Sequence, residues 1–255
     1  FGVDRLQAQW SDGDVALMIC ADDPVTVAHA VRALVVAARS FTDVRWVQRG
    51  FRNTPGVQPP GATMRNLMGQ LDGTRNLVPG TADDALLWCG TSEPDWLVGG
   101  TSLVLRRIAM DLDGWEKLGR SEREAVIGRR LADGSPLTGT REHDEPDLDA
   151  TTPLGLPVID TFAHIRRARS DDPSQRFLRR GYNYDETPPP GEHSNSGLLF
   201  ATFQADVERQ FVPIQRRLDE LDLLNRWTTP IGSAVFAVPP GARDGEYLGQ
   251  RLLEA

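Results

Sequence analysis

A single aspartate, Asp72, lies in the stretch GQLDGTRNL (residues 69–77), three residues after Gly69 and directly before Gly73. Glycine allows positive φ angles and aspartate can bond its own backbone, so a surface turn is one interpretation. The other interpretation is that the glycines let the main chain approach a flat ligand while the carboxylate faces that ligand. The stretch alone leaves both interpretations open.

Of the four histidines, His164 lies in the setting that most suggests chemistry. It ends the mostly apolar run GLPVIDTFAH and enters the basic segment IRRAR, so packing and ligand roles are both open. Neutral imidazole is a common ligand of metals and of haem iron. No second histidine or cysteine lies nearby at zinc spacing, which favours one axial haem ligand over a multi-ligand protein site. We expect His29 to pack inside a helix, and His143 and His193 to be solvated in polar loops.

Two adjacent arginines, Arg179 and Arg180, end a predicted strand in RFLRRGYNYDE (176–186). An exposed pair of this kind is usually a solvated face. Here apolar residues and a Gly-Tyr pair flank the arginines, so we expect one guanidinium to point inward. A buried guanidinium needs an anionic partner, and Asp72, a haem propionate or a peroxide anion would each serve.

The composition is that of a globular protein with a real core: 255 residues, of which 40% are hydrophobic and 25% charged. The formal net charge of −8 argues against a nucleic-acid-binding protein, which would carry a basic face. No apolar run approaches the roughly 20 residues of a membrane-spanning helix. Cys20 and Cys89 lie in apolar runs without CxxC or disulfide spacing, so we expect buried free thiols.

The first unit of the chain is predicted to be a strand, a helix and a strand. The run VALMIC (15–20) predicts a strand, capping aspartates and an early proline open a helix over 22–40, and VRWVQRGF (44–51) alternates as a strand does. Two strands alone are marginal in water. We therefore expect a segment upstream of Phe1, or a separate chain, to complete this first sheet.

A second unit alternates strands and helices around long polar loops. Its predicted elements are strands over 101–112, 197–204 and 232–241, a helix over 121–133 with a Ser121–Glu124 capping box, a loop over 134–157 and a helix over 207–221. This order favours an α+β fold with sheets whose helices pack on one face. We place a domain boundary between a first unit over 1–95, which includes the Asp72 loop, and a second unit over 96–255.

The chain resembles the DyP-type (dye-decolorising) haem peroxidases, and especially their exported branch related to bacterial deferrochelatases. Agreement in order and spacing runs over nearly the whole chain from Cys20 onward. The blocks that carry it are NLMGQLDGTRN (66–76), EPDWLVGGTSLVLRRIAM (93–110), GRRLADGSPL (128–137), AHIRRAR (163–169), FLRRGYNYD (177–185), GLLFATFQ (197–204) and PIGSAVFAVPPG (230–241).

The resemblance implies two ferredoxin-like modules with antiparallel sheets, the first incomplete in this chain, and haem b (iron protoporphyrin IX) on the second. It makes His164 the axial ligand of the haem iron, and Asp72 and Arg179 the catalytic residues on the opposite, distal face. The residues that it assigns to haem binding are Gly73, Thr74, Arg75, His164, Arg169, Ser170, Asp171, Arg179 and Phe200.

Two departures from the family pattern concern the surroundings of His164. Many members carry an aspartate two residues before the ligand histidine, where this chain has Phe162, with Asp160 two places earlier. Members also often read Asn-Pro where this chain has Ser170 and Asp171. These differences leave the partner of the histidine ring and the propionate contacts open, but not the axial ligand.

The activity implied by the resemblance is reduction of hydrogen peroxide to water, followed by oxidation of dyes, phenols or other one-electron donors. Asp72 would act as general acid–base, and Arg179 would stabilise developing negative charge. The alternative is a haem-binding, deferrochelatase-type haem-handling protein without significant peroxide turnover. The resemblance also implies export to the periplasm or the cell exterior, and it is compatible with a homo-oligomer.

Bulky donors would not reach a narrow distal pocket, so electrons would enter through surface aromatic residues, although core packing is the more ordinary role of such residues. The candidates are Trp88, Trp96, Trp115, Trp227, Tyr182 and Tyr184.

Overall fold

The central strand of the fold, β1 (Thr101–Met110), pairs antiparallel with β4 (Ser196–Gln204) on one side and with β5 (Thr228–Val238) on the other. Two short strands, β2 (Leu178–Arg179) and β3 (Tyr182–Asp185), follow one another along the outer edge of β4. The computed structural model describes residues 1–254, and the five strands within that range form this one sheet. The predicted antiparallel strands of the second unit are therefore confirmed.

Most helices are short. They are α1 (Pro24–Ala38), α2 (Asp84–Leu87), α3 (Leu112–Glu116), α4 (Arg120–Ile127), α5 (His164–Ala168), α6 (Val212–Leu221) and α7 (Gln250–Leu253), with 3-10 turns over Ala8–Trp10 and Leu223–Arg226 and a π-helical turn over Val207–Phe211. The helix predicted over 207–221 is thus observed as the π-helical turn running into α6. Within residues 1–254, no helix is both long and apolar enough to cross a membrane.

An apolar cluster joins the loop that carries Asp72 to the end of β1. Its buried members are Met64, Met68, Met110, Trp115, Val126, Ile127 and Leu198. The Trp115 side chain is fully buried, and its indole N–H donates to the carbonyl of Met68 at 2.9 Å. Burial of roughly 200 Å² by a tryptophan contributes on the order of 5 kcal/mol relative to the unfolded chain. This packing anchors the base of the Asp72 loop.

Arg106, in the middle of β1, is a buried cation with one acidic partner. Its side chain is 2% exposed, and its guanidinium donates to the carboxylate of Asp4. The Phe1 ring lies 5.5 Å from the guanidinium carbon on the same side. Removing one partner of a buried ion pair typically costs about 3–5 kcal/mol, so residues 1–4 belong structurally to this sheet.

The next residue, Arg107, points to the opposite face because successive side chains alternate along a strand. Its guanidinium carbon lies 4.1 Å from the ring centre of Trp10 and 4.0 Å from that of Tyr184. The carboxylate of Glu186 accepts from the same guanidinium at 3.2 Å. Cation–π contacts of this kind strengthen when they are shielded from water. Asp4 contacts Arg106 on one face of β1 and Trp10 contacts Arg107 on the other, so residues 1–10 cover both faces of the strand centre.

In the first unit the helix prediction is confirmed and the two strand predictions are wrong. The helix α1 begins after Asp23, whose side chain accepts from the Thr26 N–H at 2.7 Å. Residues 15–20 and 44–50 have no regular secondary structure, and Phe51 forms only an isolated bridge with Asn183. These segments meet no pairing strand within residues 1–254, so apolar side chains such as Val15 remain exposed, in this case by 71%.

The predicted capping box is also wrong. The helix α4 begins one residue earlier than expected, and it is Glu122 whose side chain accepts from the Gly119 N–H at 2.6 Å. Glu124 does not pair with Ser121; its Oε1 accepts from Arg120 Nε at 2.9 Å and from the Leu131 N–H, beyond the end of the helix, at 3.0 Å. The helix stops before Gly128, whose φ of 88° breaks the helical path.

The first unit also exposes two side chains that we expected to be buried. Cys20 is exposed, with its sulfur 3.1 Å from the hydroxyl of Tyr182, and His29 is exposed on α1. Both belong to segments that pack little against the rest of the described chain. Cys89 is buried and free, as the sequence predicted.

Candidate functional site

The Asp72 loop is a tight turn held by backbone hydrogen bonds. The Asp72 N–H donates to the carbonyl of Met64 at 2.8 Å, and an isolated bridge joins Arg65 to Leu71. Gly69 and Gly73 have φ angles of 84° and 125°, which residues with side chains rarely adopt. The turn therefore needs both glycines, and it leaves the Asp72 carboxylate half-buried beside a cavity.

Arg179 faces this carboxylate from the outer edge of the sheet. Its Nη1 lies 3.6 Å from Asp72 Oδ1, and its Nη2 donates to the carbonyl of Arg75 at 3.2 Å. The neighbouring Arg180 is exposed and donates to the hydroxyl of Tyr182 at 2.6 Å. The expectation that one arginine of the pair points inward to an anionic partner is thus met by Arg179.

A cavity of about 160 Å³ lies between the Asp72 loop and β2. Its lining residues are Arg52, Gly61, Ala62, Thr63, Met64, Asp72, Gly73, Asn76, Arg179, Gly181 and Phe200. The cavity is large enough for several water-sized molecules. One carboxylate and two guanidinium groups border this space, so a small, protonatable or anionic guest would find both acceptors and donors there.

His164 is the first residue of α5, and Asp222 fixes its ring. The Nδ1 atom of His164 lies 2.6 Å from Asp222 Oδ2, across 58 residues of sequence. The other carboxylate oxygen of Asp222 caps the turn that follows, because it accepts from the Leu224 N–H at 3.0 Å. With Nδ1–H donated to Asp222, the Nε2 atom of a neutral His164 is left free to bind a metal.

The pKa of His164 depends on Asp222 and also on the Asp72–Arg179 pair. Burial alone would lower the pKa of His164, but the charge and hydrogen bond of Asp222 outweigh that effect and raise the pKa above its ordinary value. The negative charge of Asp72 raises the same pKa, and the positive charge of Arg179 lowers it.

Two glutamates of the long loop 134–157 tie the surrounding segments together. Glu142 accepts from the hydroxyls of Thr63 and Thr74 at 2.5 and 2.8 Å. Glu145 accepts from Arg75 at 2.6 Å and from Arg169, so one carboxylate joins the Asp72 loop to the end of α5. The loop is therefore irregular, as predicted, and linked to the site.

The structure brings some of the predicted haem-binding residues together and leaves others apart. Gly73, Arg179 and Phe200 line the cavity with Asp72. Thr74, Arg75 and Arg169 are not among the residues that line the cavity. They are linked to its surroundings by hydrogen bonds to Glu142 and Glu145. Ser170 donates to Gln175 at 2.8 Å, and Asp171 is exposed. The haem-binding roles of all these residues stay predictions.

Reasoning from the sequence missed four residues of the site: Asp222, Asn76, Arg52 and Glu145. Asn76 lies inside the GQLDGTRNL stretch, and its side-chain amide, which can both donate and accept a hydrogen bond, could have marked it as a candidate. The other three contact the site only through the fold, and nothing in their local sequence marks them. The sequence left the partner of the His164 ring open, and the nearby Asp160 does not fill this role, because its carboxylate accepts from the Phe162 N–H at 2.9 Å.

Comparisons with known proteins identify the class to which this fold and site belong. The family description "Dyp-type peroxidase, C-terminal" matches residues 63–243, and "Dyp-type peroxidase, N-terminal" matches residues 1–52. The dye-decolorizing peroxidase of Thermobifida fusca is 44% identical over all of this chain and 60% of its own length. A deferrochelatase of Escherichia coli K12 is 35% identical over 99% of this chain and 61% of its own length.

Solved structures agree with this result. A DyP-type peroxidase from Cellulomonas bogoriensis superposes with a TM-score of 0.97 at 62% identity, covering 100% of this chain and 71% of that one. Ferric DtpA from Streptomyces lividans gives a TM-score of 0.96 at 43% identity, covering 100% and 70%. The chain belongs to the DyP-type peroxidase family, whose members are haem enzymes with a ferredoxin-like α+β fold. It spans about three fifths of the length of the curated relatives it matches.

The first prediction concerns the pair formed by His164 and Asp222. Asp222→Asn removes the negative charge but keeps the oxygen that caps Leu224, so we expect the pKa of His164 to fall. The raised pKa stabilises the folded state most at pH values below about 6.5, the pKa of a free histidine. This contribution is lost as the pH rises through the raised pKa. NMR titration of the His164 ring in haem-free protein measures the change.

Asp160→Asn is the matched control, because Asp160 caps backbone near His164 without touching its ring. It should leave the titration unchanged. Identical His164 pKa values in wild type and Asp222→Asn would show that Asp222 does not set the state of the ring.

Proposed function

We propose that this chain carries the haem site of a peroxidase, in which His164 binds the iron and Asp72 and Arg179 act on hydrogen peroxide. The observation that carries the proposal is the pairing at the site: an imidazole with one nitrogen held by Asp222, and a carboxylate–guanidinium pair 3.6 Å apart beside a small cavity. These are the groups needed for one axial ligand, one proton carrier and one anion stabiliser.

The residues present fit a haem by their donor chemistry. Within residues 1–254, no group of three or more His, Cys, Asp or Glu side chains converges as a metal site. A single imidazole suits a metal whose other ligands are supplied largely by a macrocycle. Gly73 brings backbone to the cavity without a side chain, and Phe200 with Met64 supplies apolar wall. When bound, the haem would supply the two electrons that reduce hydrogen peroxide to water, and one-electron donors would then return them.

The protein groups would then divide the remaining work. Asp72 takes the proton from incoming hydrogen peroxide and returns it to the departing oxygen, which is general acid–base catalysis. Arg179 donates fixed hydrogen bonds to the negative charge that develops on peroxide. Asp222 keeps the His164 ring in the orientation and tautomer that an axial ligand requires, and it raises the electron density of that ring.

The reducing substrates that we propose are dyes, phenols or other one-electron donors. Of the six aromatic candidates for electron entry, Trp88 is 43% exposed, whereas Trp115 and Tyr184 are fully buried. A surface donor could contact Trp88 directly, and the two buried residues could act only as internal relays. Export from the cytoplasm and assembly as a homo-oligomer remain predictions drawn from the family resemblance.

We also propose that a further segment, in the same chain or a separate one, completes the first module. The support is an uncovered apolar surface on the first unit, where no residue of α1 is buried and both flanking segments lack strand partners within residues 1–254. Amide hydrogen exchange should be fast at residues 15–20 and 44–50 in this chain, and slow when the completing segment is present. Slow exchange in this chain alone would contradict the proposal.

Peroxide reactivity tests the proposed function. Stopped-flow mixing of the haem-loaded protein with hydrogen peroxide at mildly acidic pH should change its Soret band rapidly. We expect Arg179→Leu to slow this step by about a hundredfold or more, the usual cost of losing a charge-stabilising donor. We expect Asp72→Ala to be slowed too, but less, because water can partly replace a proton carrier.

Arg180→Leu is the matched control, since Arg180 is adjacent but exposed and bonded to Tyr182. Wild-type rates in both site variants would remove the reaction from this cavity. A much slower Asp72→Ala than Arg179→Leu would keep the cavity and reverse the ranking. Haem binding without any peroxide-induced change in wild type would favour the haem-handling alternative.

A further inference from the structure

The side chain of Asn76 makes a paired hydrogen bond with the backbone of Arg179. Its Nδ2 donates to the Arg179 carbonyl at 2.8 Å, and its Oδ1 accepts from the Arg179 N–H at 2.8 Å. Asn76 lies four residues after Asp72 and borders the same cavity. One side chain of the Asp72 loop thus holds both polar backbone groups of the residue that faces Asp72.

The Asn76 side chain satisfies two backbone groups that a neighbouring strand would otherwise have to pair. The strand β2 is two residues long, and its ladder runs to β4 alone, with Arg179 opposite Thr202. The N–H and carbonyl of Arg179 point to the other edge, which meets no strand within residues 1–254. An asparagine amide offers one donor and one acceptor, as a backbone peptide does, so Asn76 closes this edge.

The pairing also couples the two catalytic candidates. Arg179 makes three hydrogen bonds to the Asp72 loop, two between its backbone and Asn76 and one from its Nη2 to the Arg75 carbonyl at 3.2 Å. The direct contact between Arg179 and Asp72 is long, at 3.6 Å, and both side chains are partly exposed. A pair of that kind holds its own geometry weakly. The geometry therefore depends on the backbone contact.

We propose that Asn76 is a positioning residue that fixes Arg179 against Asp72, and that it acts on peroxide through Arg179. The proposal rests on the proposed function of the cavity. An arginine donor must sit where charge develops, and an error of about 1 Å can cost about a hundredfold in rate. Losing both Asn76 bonds would let the two-residue strand move and would spread the guanidinium over several positions.

A double-mutant cycle on the haem-loaded protein tests this coupling. We expect Asn76→Ala to slow the peroxide reaction by about tenfold and to weaken fluoride binding to the ferric protein by a similar factor. In an Arg179→Leu background the same substitution should change either quantity by less than about twofold, because coupled residues are not additive. Equal losses in both backgrounds, or no loss in the wild-type background, would overturn the proposal.

A haem-free measurement separates this proposal from the function on which it rests. Hydrogen exchange at the Arg179 amide should be at least about tenfold faster in Asn76→Ala than in wild type. Asn53→Ala removes an exposed asparagine that bonds Gln58, and it should change nothing. Unchanged exchange at Arg179 would contradict the positioning role whether or not the protein reacts with peroxide.

Asn76→Asp decides the question if the alanine variant does not fold. It keeps the acceptor for the Arg179 N–H and loses the donor to the carbonyl, so its rate and fluoride affinity should fall below those of wild type. Wild-type values in Asn76→Asp for rate, fluoride affinity and exchange would overturn the proposal.

Discussion

The site depends on one geometric constraint: an imidazole and a carboxylate–guanidinium pair must keep fixed positions although they come from three separate segments, namely the start of α5, the Asp72 loop and the short strand β2. Ordering a loop residue costs roughly 1–2 kcal/mol of backbone entropy, so such positions persist only where other contacts impose them. Here the contacts are side-chain hydrogen bonds that reach across the sequence. Asp222 holds His164, and Asn76 holds Arg179.

The sheet supplies the rigid reference for these contacts. Its central strand carries two adjacent buried guanidiniums, Arg106 and Arg107, which would be costly without partners. Residues 1–10 provide partners for both, with a carboxylate on one face and an aromatic ring on the other. Pairing on both sides of β1 and neutralisation at its centre together keep β4 in place. The strand β2, and with it Arg179, is built on β4.

The sequence predicted the parts of the fold that depend on local pattern. The strands β1 and β4 follow from apolar runs, and the Asp72 turn from its flanking glycines. The first-unit strands at 15–20 and 44–51 were wrong, because a strand forms only with a partner and local pattern cannot supply one. The α4 cap was predicted two residues too late, at Ser121 and not at Gly119, since a glycine can begin a helix without any side chain to announce it.

Within the site, side chains of distinctive chemistry could be found from the sequence, and their supports could not. His164, Asp72 and Arg179 stand out by residue type, spacing and family resemblance. Asp222 and Glu145 are ordinary acidic residues among 36 in the chain, and only the fold brings them to His164 and to Arg75 with Arg169. Contacts across 24 to 70 residues leave no periodic signal in a single sequence.

The central claim is that His164 binds the haem iron. Haem binding by a His164→Gly variant tests it most directly. Wild type should bind one haem per chain with the Soret spectrum of a histidine-ligated iron, and His164→Gly should lose that spectrum and most of its affinity. Added imidazole should restore both, because it can occupy the space of the deleted ring, and His143→Gly in an exposed loop should match wild type. An unchanged spectrum and affinity in His164→Gly without imidazole would contradict the account.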